Sequence, residues 1–99
     1  MHIITQRRLK EFWEKHPQAQ PSLQIWYNRT KSAQWNNFND LRQVFKSADQ
    51  VGKLTVFNIS GNNYRLIALV DYQYQKVFIR DILTHAEYDT NNWKQDSWF

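Results

Sequence analysis

Core-facing positions recur first at helical and then at strand spacing. Met1 to Ile4 reads as a short opening strand, and Thr5 suits the N-cap of the helix that follows. Leu9, Phe12, Trp13 and His16 then fall on one helical stripe, which Pro17 ends. Pro21 sits where a second helix opens, because the first turn does not need its missing N–H. Leu23, Trp26, Tyr27, Thr30 and Ala33 form the stripe of that helix. Asn36 to Asn39 predicts a turn, and Asp40 with Gln43 resembles a capping box for a short helix carrying Leu41, Val44 and Phe45. From Lys53 the period changes. Leu54 to Ser60, Tyr64 to Asp71 and Lys76 to Leu83 read as three strands, rich in Val, Ile, Phe and Tyr. Gly61-Asn62 marks a tight turn between the first two. Thr84 and Glu87 form a T-x-x-E box that opens a last helical turn holding His85 and Tyr88. The fold class is α+β, with N-terminal helices packed on a small antiparallel sheet.

Strand side chains alternate between faces, so register sorts them. A two-residue turn at Gly61-Asn62 sets Asn58 opposite Arg65. One face then carries Phe57, Ile59, Tyr64, Leu66, Ala68 and Val70, and the other Val56, Asn58, Arg65, Ile67, Leu69 and Asp71. Any even loop between the second and third strands puts Arg80 on the face of Arg65. An odd loop would bury its guanidinium among apolar neighbours at high cost. With even loops the first face gains Val77, Ile79 and Leu83 and packs on the helices, with Asp81 as its polar exception. The second gains Phe78, Arg80 and Ile82, and is a mixed surface carrying both guanidinium groups.

Composition narrows the class. Ninety-nine residues fit one domain, spanning 1–99, and 41% apolar residues allow a real core. The aromatic content of 16% argues against disorder. No apolar run approaches the roughly 20 residues needed to cross a bilayer, and no secretory leader is visible, so no membrane role is expected and a cytoplasmic location fits. Cysteine is absent, which excludes disulfides, thiol catalysis and cysteine-ligated zinc. A net charge of +4 leans towards a polyanionic partner.

Arg65 and Arg80 make a candidate phosphate site, since each guanidinium offers a planar fork matched to two phosphate oxygens. The plain alternative is ion pairing, with Asp71 on the same face as partner. His85 is a candidate acid or base because imidazole titrates near neutrality, against the alternative of a solvated or locally bonded ring. Tyr88, three residues on, lies on the same side of a helical turn, where its phenol can relay a proton or simply pack. With Cys absent and only three His, no metal-ligand cluster is expected. Arg7, Arg8, Lys10, Lys15, Arg29 and Lys31 read first as solvated helix faces and second as an RNA-backbone surface. Lys53 and Lys76, at strand starts, are weaker candidates for the same role.

The stretch Phe57-Asn58-Ile59-x-Gly61-Asn62-x-Tyr64-Arg65-Leu66, followed by Phe78-Ile79-Arg80 and then Thr84-His85-x-x-Tyr88-Asp89, resembles the HigB-type toxins of the RelE-like superfamily. The resemblance is strongest from Leu54 to Thr90 and extends to Met1-His2-Ile3-Ile4, Phe12-Trp13-x-x-His16-Pro17 and Ala48-Asp49-x-Val51. Trp93 to Phe99 is not part of it. It implies helices packed on a small antiparallel sheet and metal-free, cofactor-free cleavage of messenger RNA, usually on the ribosome. It implies neutralisation by a HigA-type helix-turn-helix antitoxin, with operator DNA reached only through that antitoxin. In the implied chemistry a ribose 2′-OH attacks the adjacent phosphate, leaving a cyclic phosphate and a 5′-OH. By position Arg65 and Arg80 hold the scissile phosphate, His85 serves as acid or base, Tyr88 assists proton transfer or stacking, and Asn58 orients a phosphate oxygen or the 2′-OH. Two other readings stand beside this one: a non-catalytic RNA- or ribosome-binding module, and an inactive toxin homologue acting as co-repressor.

Overall fold

The computed structural model describes residues 1–99. Its elements run β1 (His2–Ile4), α1 (Arg7–Lys15), α2 (Gln20–Lys31), α3 (Phe38–Val44), β2 (Asp49–Val51), β3 (Leu54–Ile59), β4 (Tyr64–Asp71), β5 (Lys76–Thr84) and α4 (His85–Asp89). The five strands form one sheet in the order β1-β5-β4-β3-β2. All neighbours are antiparallel except β1, which runs parallel to β5, so the sheet is mixed.

The helices start where local chemistry allows, not always where spacing alone suggests. Thr5 is not an N-cap. It takes a left-handed backbone, φ 72°, and the cap position falls to Gln6, whose side chain makes no capping hydrogen bond. Pro21 lies in the first turn of α2 as expected. In α3 the cap is Asn37, whose side chain accepts from the Asp40 N–H, so Asp40 lies inside the first turn instead of capping it. The Thr84–Glu87 capping box at α4 is present in both directions.

The helices cover one sheet face. Trp26, Leu23 and Leu41 pack there on Phe57, Ile59, Leu66, Ala68, Val77 and Ile79, all buried. This is the apolar face that strand alternation predicts. The hairpin register also holds, with Asn58 opposite Arg65 and Ile59 opposite Tyr64.

The third strand departs from simple alternation. Asp71 pairs with Lys76 and Ala68 with Ile79, as an even loop requires, but Ile67 pairs with Asp81. Arg80 is therefore the extra residue of a β-bulge, and a bulge swaps the faces beyond it. Ile82 joins the main core, whereas Leu83 packs with Leu54, Val56 and Ile67 on the other side. The swap also takes Asp81 off the helix-covered face.

That other side is not an open surface. α4 and the segment Asn92–Phe99 lie across it and bury Trp93 against Leu54, Val56 and Ile67. Aromatic rings line the segment. Tyr88 stacks on Trp93 at 5.2 Å, Phe99 meets Trp93 edge-on at 5.7 Å, and Trp98 meets Phe78 at 5.4 Å. Gly52 makes room for it: a Cβ there would stand 3.0 Å from the Phe99 main-chain oxygen, and its φ of +61° already disfavours a side chain.

Candidate functional site

The site grows from the β3–β4 hairpin. Ser60 and Gly61 both take positive φ, which folds the chain back so that the Asn62 carbonyl points towards the end of β5. Arg65 Nη1 donates to that oxygen at 3.0 Å and to the Tyr64 oxygen at 3.1 Å, and its Nη2 donates to Asn62 Oδ1 at 2.6 Å. His85 Nδ1 reaches the same Asn62 oxygen at 3.0 Å. The guanidinium and the imidazole thus converge on one acceptor.

Arg65 is 7% exposed, so it is not a free fork on an open face. Its guanidinium lies 5.3 Å from the centre of the Tyr88 ring. Burial pushes the Tyr88 phenol above its ordinary range, with help from Asp49 and Asp89 and against the charge of Arg65. The phenol is consequently protonated at neutral pH.

His85 sits at the first position of α4, and Asp89 lies one turn later on the same side. His85 Nε2 is 3.1 Å from Asp89 Oδ2, and both side chains are exposed. Both ring nitrogens therefore face oxygen acceptors, and both contacts form together only when each nitrogen carries a proton.

Arg80 stands on the same side of the sheet, between Asp96 and Trp98. Its Nε and Nη2 donate to the two Asp96 carboxylate oxygens at 3.0 Å each. Its guanidinium lies 3.9 Å from the Trp98 ring centre. The main-chain oxygen of this bulge residue accepts from Arg8 Nη1. The ion-pair partner is thus Asp96 and not Asp71, whose carboxylate caps the β4–β5 turn by accepting from the Tyr74 N–H. Burial pushes the Asp96 carboxyl up. The hydrogen bonds from Arg80 and the Trp98 N–H, with the charges of Arg80 and Arg8, outweigh it and hold the carboxyl below its ordinary range.

Asn58 is exposed and directly opposite Arg65, so it borders the site. Lys53 and Lys76 do not. Lys76 pairs with Asp71 while Thr84 pairs with Tyr64, which separates Lys76 from His85 by the length of β5, about 25 Å at the strand rise. Lys53 lies in the β2–β3 turn, at the end of β3 remote from Asn62, with its N–H bonded to the Phe99 oxygen at 3.2 Å. Strand register thus sets both lysines apart from Arg65 and His85.

Asn62, Asp89, Asp96 and Trp98 belong to the arrangement although the sequence reading assigns them no role in it. Asp89 had a usable signal, its i,i+4 spacing from His85. Asp96 had none, because a bulge and a chain reversal separate it from Arg80. No three His, Asp or Glu side chains stand close enough together to share a metal ion.

Comparison with known proteins decides the family. Residues 19–91 match the model of the HigB toxin, described as the RelE-like toxic component of a toxin–antitoxin system. The chain belongs to the HigB toxin family. It is 39% identical to the mRNA interferase toxin HigB of Escherichia coli K12, over 90% of this chain and 88% of that one. It is 30% identical to the mRNA interferase HigB of Escherichia coli O6:H1, over 90% of this chain and 89% of that one. Arg65, Arg80, His85, Tyr88 and Asp89 all fall inside the stretch matched by the HigB model, whereas Asp96 and Trp98 lie beyond it.

Proposed function

We propose that this HigB-family toxin is a metal-free endoribonuclease that cuts messenger RNA on the ribosome and is neutralised by a HigA-type helix-turn-helix antitoxin. The observation that carries the reading is the convergence of Arg65 and His85 on the Asn62 carbonyl, with Arg80 on the same sheet side against Trp98. The names of the HigB relatives support messenger RNA as the substrate.

In the proposed reaction the ribose 2′-oxygen attacks the adjacent phosphorus as its proton leaves, and the P–O5′ bond breaks. The products are a 2′,3′-cyclic phosphate and a 5′-OH. His85, once its Asp89 contact opens, accepts the 2′ proton as the unprotonated ring. Tyr88 stays protonated and donates to the departing 5′-oxygen. Arg80 meets the charge that develops on the phosphate oxygens. Arg65 adds positive charge nearby and holds the Asn62 carbonyl on which His85 rests. Asn58, level with Arg65, orients a phosphate oxygen or the 2′-OH.

Induced expression tests this. Growth should stop and transcripts should be cut, and co-expression of the helix-turn-helix partner should restore growth. Intact transcripts in arrested cells point to the non-catalytic binding module, and unaffected growth points to an inactive homologue.

A further inference from the structure

Arg80 is held from three directions, and the hold leaves one end of its guanidinium open. A guanidinium has two bidentate edges: the Nε–Nη2 side and the Nη1–Nη2 end. Asp96 takes the side edge through both oxygens. Trp98 covers one flat face. Arg8 fixes the main-chain carbonyl. Nη1 donates to nothing within the chain, is not among the buried unpartnered atoms, and the side chain is 26% exposed. Asp96 is itself placed by accepting from the Trp98 N–H at 2.7 Å. The segment is anchored by buried Trp93, whose Nε1 donates to the Tyr88 carbonyl at 3.1 Å.

We propose that Asp96 and Trp98 are positioning residues that preset Arg80, aiming its Nη1–Nη2 end at the phosphate. The inference rests on the ribonuclease reading above. It assigns a role to residues outside the matched stretch 19–91. Phosphate needs the end edge only, so the carboxylate stays in place during the reaction. A long side chain with little freedom left loses less entropy on meeting the transition state. The opposite arrangement, a lid in which Asp96 blocks Arg80 until RNA displaces it, predicts effects of the opposite sign.

Two measurements decide between them. The first is single-turnover cleavage of a defined message on programmed ribosomes, with toxin in excess. Asp96→Asn should lower the maximal rate about 10- to 100-fold while the half-saturating toxin concentration moves less than about threefold. Trp98→Ala should act the same way, and Trp98→Phe, which keeps an aromatic face, should recover most of the rate. A wild type that cuts, with Asp96→Asn equally fast or faster, overturns the clamp and leaves the ribonuclease intact. A wild type that leaves the message whole overturns the ribonuclease reading and this inference with it.

The second measurement needs no substitution. Arginine side-chain NMR follows Arg80 Nε–H as a 2′-O-methyl RNA oligonucleotide is added. The clamp predicts that Nε–H stays protected from solvent exchange while the Nη signals shift. Loss of the Nε–H signal to exchange means that the carboxylate has left, and overturns the proposal.

Discussion

Arg65 Nη1 and His85 Nδ1 meet on one acceptor, the main-chain oxygen of Asn62, each at 3.0 Å. A tight turn between β3 and β4 thereby fixes a cation and an imidazole that lie 20 residues apart in sequence. The turn is held in return, because Arg65 also grips the Asn62 side chain at 2.6 Å.

Asn62→Ala isolates this second grip. It keeps the carbonyl and removes the Oδ1 acceptor of a nearly buried guanidinium. Urea unfolding should show a loss of ~1.5–3 kcal/mol, the range for a hydrogen bond to a charged group. Cleavage should fall as well, since the turn that carries His85's acceptor loosens.

Asp89→Ala separates chemistry from stability. The pair with His85 is exposed, and exposed i,i+4 pairs contribute under about 0.5 kcal/mol. The melting temperature should barely move. Cleavage should continue at no less than the wild-type rate, because His85 accepts the 2′ proton only once this contact opens. A fall in rate with the melting temperature unchanged contradicts that order of events.

Trp93→Ala tests what holds the C-terminal segment to the sheet. The indole is buried against Leu54, Val56 and Ile67. Removing a buried Trp costs about 3–5 kcal/mol. The Arg80–Asp96 contact should weaken in parallel, read as faster solvent exchange of Arg80 Nε–H.

Two carboxylates on this side titrate with opposite consequences. Asp96 has a lowered value in the fold, so the stability it contributes is present above the ordinary carboxylate range and is lost as pH falls through its lowered value. Asp81 has a raised value. Burial is the main cause, opposed by the Ile82 N–H and the charge of Arg8, with Glu87 and Asp96 adding to it. Its contribution is fully present below the ordinary range and is lost as pH rises through the raised value. Asp81→Asn keeps an Oδ1 to accept from the Ile82 N–H, so thermal melting should show it more stable than wild type at neutral pH. The gain should vanish in acid.

Gly61-Asn62 made the β3–β4 hairpin legible, because a short turn and alternating apolar residues permit one register. The placement of Arg65, Asn58 and the helix-covered core followed from it. The bulge at Arg80 was harder to see. Its trace is an apolar interval that widens from Val77–Ile79 to Ile79–Ile82, which alternation alone reads as Ile82 facing outward. The Arg80–Asp96 contact left no trace, since it forms only once the chain has turned through α4 and crossed the sheet. Lys53 and Lys76 were legible as exposed residues beside strand starts, but exposure does not say which end of the sheet a residue occupies. β2 is three residues long and two of them are exposed, too short for alternation to register.

The most direct test is the chemistry of the cut ends. Messages recovered after induction should carry a 2′,3′-cyclic phosphate on one side of each cut and a 5′-OH on the other, and a single 2′-deoxy substitution at the cut site should abolish cleavage there. Arg80→Ala and His85→Ala proteins, folded by circular dichroism, should produce neither end. Cleavage that survives the 2′-deoxy substitution, or that both variants perform at the wild-type rate, contradicts the account.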